Sequence, residues 1–143
     1  MSLLSFIQQF PRETDCLEYF RSVREKAGIT CVKCGSKNHY WLPGKCQFEC
    51  ACCGNHTSIN SGTIMENTEL PIKYWFITIH LLTSANKFVS SSEIQNQLGV
   101  SNSEPVLDMC DKLRLLLDGE EADFDSLLNA CATYHPILRT HAS

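Results

Sequence analysis

Four cysteines, at Cys31-x-x-Cys34 and Cys50-x-x-Cys53, constrain this chain more than any other feature. Fifteen residues separate the two pairs, and Gly35 and Gly54 directly follow the second cysteine of each. Thiolates suit a tetrahedral Zn2+ ion, and two Cys-x-x-Cys turns at this spacing are the pattern of a zinc ribbon. Glycine after each pair permits the tight turn that aims both sulfurs at one ion. A site with four thiolates leaves no position for water, so the expected cofactor is one structural Zn2+ that holds the fold and does not catalyse. A secreted disulfide framework is the competing use of cysteine, but nine is an odd count. The N-terminal stretch MSLLSFIQQFPRE also lacks the basic start, apolar core and cleavage site of a secretion signal. The longest apolar run, Tyr74 to Leu82, is broken by Thr78 and His80 and is too short to span a membrane. A reducing intracellular compartment is expected, the cytoplasm or nucleoid if the source is bacterial.

The pattern around the cysteines predicts a small α+β chain with four segments. Residues 1–27 read as N-terminal helices over 3–10 and 14–26, the second capped by Thr14, with Cys16, Tyr19, Phe20 and Val23 at helical spacing. Residues 28–62 read as the ribbon, a short antiparallel sheet. Its expected strands are His39–Leu42, Cys46–Glu49 after the Pro43-Gly44 turn, and His56–Ile59. So small a sheet has little core of its own, so metal binding and folding are expected to be coupled. His39 and His56 are rival ligands by type but read as surface or strand residues, and Cys46 and Cys52 read as free thiols near the metal.

Residues 63–117 read as a helical bundle. One helix runs from Pro71, in its first turn, to about Ala85, with Trp75, Phe76, Ile79 and Leu82 inward and His80 at the core edge. Ser90-x-x-Glu93 is a capping box that starts a second helix, which Gly99 ends. A last long helix begins near Glu104-Pro105 and carries Val106, Met109, Cys110, Leu113, Leu116 and Leu117 on one stripe. Helix, glycine turn, buried valine and second helix make the pattern of a helix-turn-helix. Residues 118–143 read as an acidic linker followed by a short amphipathic helix with Phe124, Leu127, Leu128 and Cys131, and Tyr134 at its edge, ended by Pro136.

These residues in this order resemble the N-terminal half of bacterial insertion-sequence transposases, which place a zinc ribbon and a helix-turn-helix before a DDE catalytic domain. The likeness covers about residues 10–117. Its most specific parts are the two knuckles, Ser61-Gly62-Thr63, Leu70-Pro71 with Tyr74-Trp75-Phe76, and Glu104-Pro105 with Met109, Lys112, Leu113 and Arg114. The resemblance implies binding of transposon ends by the ribbon and the helix-turn-helix.

Two departures qualify it. Only Asp118 to Ser143 follow Leu117, too few for the three carboxylates and two metal ions of a DDE domain, so no catalysis of that kind is expected. The helix expected to read DNA also has the wrong charge. The net charge is −4. Residues 1–70 hold seven basic and seven acidic side chains, and residues 71–143 hold five and nine. On the last helix Glu104, Leu107, Asp108, Asp111 and Leu115 oppose the core stripe, and carboxylates repel phosphates.

Two functions of different class follow. A non-catalytic DNA-binding or transposition-related accessory protein would use Lys33, Lys37, His39, Tyr40, Trp41 and Lys45 on the ribbon, with Lys73 and Lys87, to hold phosphates and stack on bases. Ring packing is the competing role for Tyr40 and Trp41, and at least one of them is expected to serve it. A protein adaptor or scaffold, or a homo-oligomer, would instead use Leu107, Asp108, Asp111 and Leu115 and the tail as its interface. An enzyme is not expected: Cys46, Cys52 and Cys110 have no recognisable Cys-His-acid setting, and no Gly-rich phosphate loop is present.

Overall fold

Local start and stop signals divide the chain into short elements, and long-range bonds join them. The computed structural model describes residues 3–84, 89–117 and 123–133. Within them lie six helices and one three-stranded antiparallel sheet, a small α+β fold. Helices α1 (Leu3–Gln9) and α2 (Glu13–Ala27) flank Pro11. Arg12, not Thr14, occupies the capping position of α2. The Asp15 carboxylate accepts from the Arg12 backbone N–H at 3.0 Å and from its guanidinium at 3.1 Å, which locks the first turn one residue earlier than expected. That pairing also holds Asp15 below the usual carboxylate pKa.

Strands β1 (His39–Leu42), β2 (Gln47–Cys50) and β3 (His56–Ser58) pair in sequence order. β2 begins after Cys46, whose φ of 51° places it in the turn, and β3 stops before Ile59. Ile59 still ties back to that turn, its N–H donating to the Cys46 carbonyl at 3.1 Å. The register sets Trp41 opposite Phe48 and Tyr40 opposite Glu49, so Trp41 and Phe48 share one face and Tyr40, Glu49 and His56 share the other.

Helix α3 (Ile72–Thr83) starts after Pro71, which caps it from outside and supplies no side-chain acceptor. Glu13 of α2 fills that role: its carboxylate accepts from the backbone N–H groups of Ile72 at 3.0 Å and Lys73 at 2.8 Å. Trp75, Phe76, Ile79 and Leu82 are buried, and the Trp75 indole N–H donates to Thr68 Oγ1 at 2.9 Å. Helix α4 (Ser91–Leu98) is capped by Ser90, whose Oγ accepts from the Glu93 N–H at 3.2 Å, and ends at Gly99 with φ 70°. Helix α5 (Ser103–Leu117) packs on α3, α4 and α6 (Phe124–Thr133) and buries Val106, Met109, Cys110 and Leu113.

Helix α6 (Phe124–Thr133) packs against α2, α3 and α5 and buries Leu127, Leu128, Cys131 and Ala132. The expected tail helix is therefore part of the core. Its Cys131 carbonyl accepts from Ile64 N–H at 3.2 Å, joining it to the segment that leaves the sheet. One cluster of buried apolar side chains runs from Phe6 through Phe48 to Ala132. Most of the acidic stretch after Leu117, together with Tyr134 and Pro136, lies outside the described residues, as does Lys87.

Candidate metal centre

The two Cys-x-x-Cys turns are built alike. Gly35 N–H donates to the Cys31 carbonyl at 2.9 Å and Gly54 N–H to the Cys50 carbonyl at 3.0 Å. Cys31 N–H reaches the Ser36 carbonyl at 2.9 Å, and Cys50 N–H the Asn55 carbonyl at 2.8 Å. Both glycines sit at positive φ, 75° and 77°, where a side chain would strain the turn. In each turn the first cysteine is buried and the second exposed.

The four Sγ atoms of Cys31, Cys34, Cys50 and Cys53 all lie within 4.8 Å of one another. Cys31 Sγ is 3.6 Å from Cys53 Sγ, and Cys34 Sγ is 3.4 Å from Cys50 Sγ. A disulfide needs about 2.05 Å, and all nine cysteines are free thiols. A tetrahedron with metal–sulfur distances of about 2.3 Å sets its sulfurs about 3.8 Å apart. The donors present therefore fit one metal ion.

The charge pattern supports that fit. Backbone N–H groups aim at the first sulfur of each turn. Cys31 is lowered by those of Cys34 and Lys33, and Cys50 falls to about 6 chiefly through that of Cys53. The Ser36 N–H pulls Cys34 down, yet the sulfurs facing it, Cys50 first, push it up to about 12; Cys53 is raised in the same way by Cys31. Four sulfurs this close oppose one another's ionisation, and a central cation removes that opposition.

The remaining candidates separate by position. Among the described residues the cluster contains neither His39 nor His56. His56 Nε2 instead lies 2.9 Å from Glu49 Oε1 on the outer sheet face. Cys46 packs against the core, and the exposed Cys52 thiol donates to Ser36 Oγ at 3.3 Å. Lys33, Lys37, Lys45 and Tyr40 are exposed. Trp41 serves packing, with its ring 4.9 Å from that of Phe48 and Arg21 stacked 5.3 Å over it. Lys73 is half-buried away from the sheet, its Nζ donating to the Pro11 carbonyl at 2.8 Å. On α5, Leu107, Asp108, Asp111 and Leu115 are all exposed, and Asp108 pairs with Lys112 at 2.9 Å.

A joint between sheet and helices went unnoticed in the sequence. The Arg24 guanidinium is buried and donates to the carbonyls of Ile59 at 2.8 Å and Ser58 at 3.2 Å, just after β3 and at its end. Its place on the inner stripe of α2, one turn beyond Phe20, was the available signal, but periodic patterns count only apolar residues. Among the described residues no helix is long and apolar enough to cross a membrane. Comparison of the chain with protein families, with curated proteins and with solved structures found no match.

Proposed function

We propose that this chain is a non-catalytic, transposase-like DNA-binding protein. In this reading one structural Zn2+, held by Cys31, Cys34, Cys50 and Cys53, supports a zinc ribbon, and α4 and α5 form a helix-turn-helix. The observation that carries it is the set of exposed cations on the small sheet and its loops. Lys33, Lys37 and Lys45 have no carboxylate partner among the described residues, and Tyr40 stands 61% exposed beside them. Free ammonium groups and an open aromatic ring suit phosphate and base. The left-handed Gly99 between two packed helices supports the helix-turn-helix.

The buried thiols are poor candidates for a nucleophile. Burial pushes Cys16 up to about 12 and also raises Cys110 and Cys131. A protonated, buried thiol is a poor nucleophile.

Retention of a DNA duplex at low salt, lost as salt rises, is the expected result. Each Lys→Gln change at 33, 37 or 45 should reduce the slope of log affinity against log salt by about 1. Absence of retention for every duplex tested at low salt sinks the reading.

A second reading, a protein adaptor, rests on α5. Leu107 is 45% and Leu115 58% exposed, beside Asp108 and Asp111. Changing both leucines to Glu should abolish partner capture or self-association, and an unchanged oligomeric state and pull-down would count against it.

A further inference from the structure

The four sulfurs of the metal centre differ in how far the protein covers them. Cys31 and Cys50, the first cysteine of each turn, are 2% exposed. Cys34 and Cys53, the second of each, are exposed. The tips of the two turns leave that side open: Val32 is 86% exposed, and Ala51 is exposed as well. Each exposed sulfur faces a buried one of the opposite turn. Cys34 Sγ lies 3.4 Å from Cys50 Sγ, and Cys53 Sγ lies 3.6 Å from Cys31 Sγ. The cluster is thus two pairs, each with one sulfur open to solvent and one enclosed behind it.

We propose that the cluster is a site of reversible oxidation by hydrogen peroxide, which links Cys34 to Cys50 and Cys53 to Cys31 and abolishes metal binding; the inference rests on the reading of the four cysteines as a metal centre. A sulfur that ligates a metal is a thiolate, and oxidation follows thiolate character and exposure. The thiolate of Cys34 or Cys53 attacks the peroxide, keeps one oxygen as a sulfenic acid and releases hydroxide. The enclosed thiolate opposite then attacks that sulfur. An S–S bond forms, the S–O bond breaks, and a second hydroxide leaves. Two thiolates lose two electrons, and one peroxide gains them. The sulfurs of a pair need to close by only about 1.5 Å to reach the disulfide length of about 2.05 Å. A disulfide sulfur no longer serves as a thiolate ligand, so one link leaves two ligands and the second leaves none. Both links run from one turn to the other, so the turns stay joined in the oxidised chain, and thiol reductants can reverse the change. The remaining cysteines lie apart from this chemistry. Cys16, Cys110 and Cys131 are buried, and Cys46 packs against the core. Cys52 is exposed but outside the cluster, its thiol donating to Ser36 Oγ at 3.3 Å.

The test uses the full, metal-loaded chain titrated with hydrogen peroxide. Remaining thiols are alkylated, released metal is read with a chelating dye, and the links are mapped by mass spectrometry after trypsin. Trypsin parts Cys31 from Cys34 by cutting after Lys33, and cuts again after Lys37, but leaves Cys50 and Cys53 in one peptide from Cys46 to Lys73. Links between the turns therefore tie both short peptides to the long one, whereas links within the turns tie the short peptides to each other. Four of the nine thiols should be lost. About two peroxides should be consumed per metal ion released, and fragment spectra should join Cys34 to Cys50 and Cys31 to Cys53. Reductant with added metal should restore the metal-loaded chain. Cys52→Ser should leave all of these readings unchanged. Metal retained at peroxide levels that already oxidise Cys52 overturns the proposal. So do a link within a turn, sulfinic acid formed without a disulfide, or dependence on Cys52. A chain that takes up no metal before peroxide is added removes the metal-centre reading itself, and the proposal with it.

Discussion

Across the eleven residues of the three strands only Phe48 and Cys50 are buried, whereas α3 alone buries seven of its twelve. Ordering eleven residues costs on the order of 10–20 kcal/mol in backbone entropy, and one buried Phe offsets about 3 kcal/mol of that. The helices meet the same cost with a continuous apolar cluster. The sheet has the cysteine cluster, the Arg24 joint and one inward face. The contrast teaches that two units in one chain can be ordered by different forces, and that each should fail under a different insult.

The largest effect should follow from breaking the cluster. Cys50→Ser, or a strong chelator, should release the metal and unfold the sheet. Metal binding at such sites is worth on the order of 10 kcal/mol, comparable to the whole stability of a domain. Helical circular dichroism should persist at a lowered Tm. Loss of the helical signal in the same transition would show that the two units are one and break the comparison.

Arg24→Gln sharpens it from the other side. Two carbonyls would lose a charged donor, a loss of about 1–3 kcal/mol. Thermal unfolding should shift down accordingly, and the metal should dissociate faster, because α2 no longer braces the residues after β3. An unchanged metal off-rate would mean that the cluster holds the sheet without help from α2.

The smallest effect belongs to the helical core. His80 is buried and stacks on Phe6 at 4.7 Å, and burial lowers its pKa below the ordinary 6.5. The unfolded chain therefore binds a proton at a pH where the folded chain does not. Stability from this group is fully present above pH 6.5 and is lost as the pH falls toward the folded value. The change His80→Phe should flatten the acid side of the stability profile by well under the Arg24 effect. A variant whose profile overlays that of the parent would remove His80 from the account.

What was legible in the sequence follows the same division. The spacing within each cysteine pair, the three strands to within a residue, the Ser90 cap, the Gly99 stop and the apolar stripe of α5 all depend on neighbours within about four positions. Contacts between distant residues left no such trace. Glu13 caps α3 across 59 positions and Arg24 reaches Ile59 across 35, and no local pattern marks either. Helix α6 was visible as a helix, but its stripe did not say whether its partner was this chain or another.

The position of α6 also orders events in time. The four sulfurs are all available once Cys53 has been synthesised, but the helix that covers α2 and α3 begins roughly 70 residues later. At ribosomal rates of about 5–20 residues per second, that is an interval of several seconds. During it the cysteine cluster can close while Phe76 still lacks the Phe124 ring that packs 5.4 Å from it. The nascent chain therefore leaves the ribosome with one finished end and one adhesive end, which makes the interval before α6 emerges its period of greatest exposure to aggregation and to chaperones.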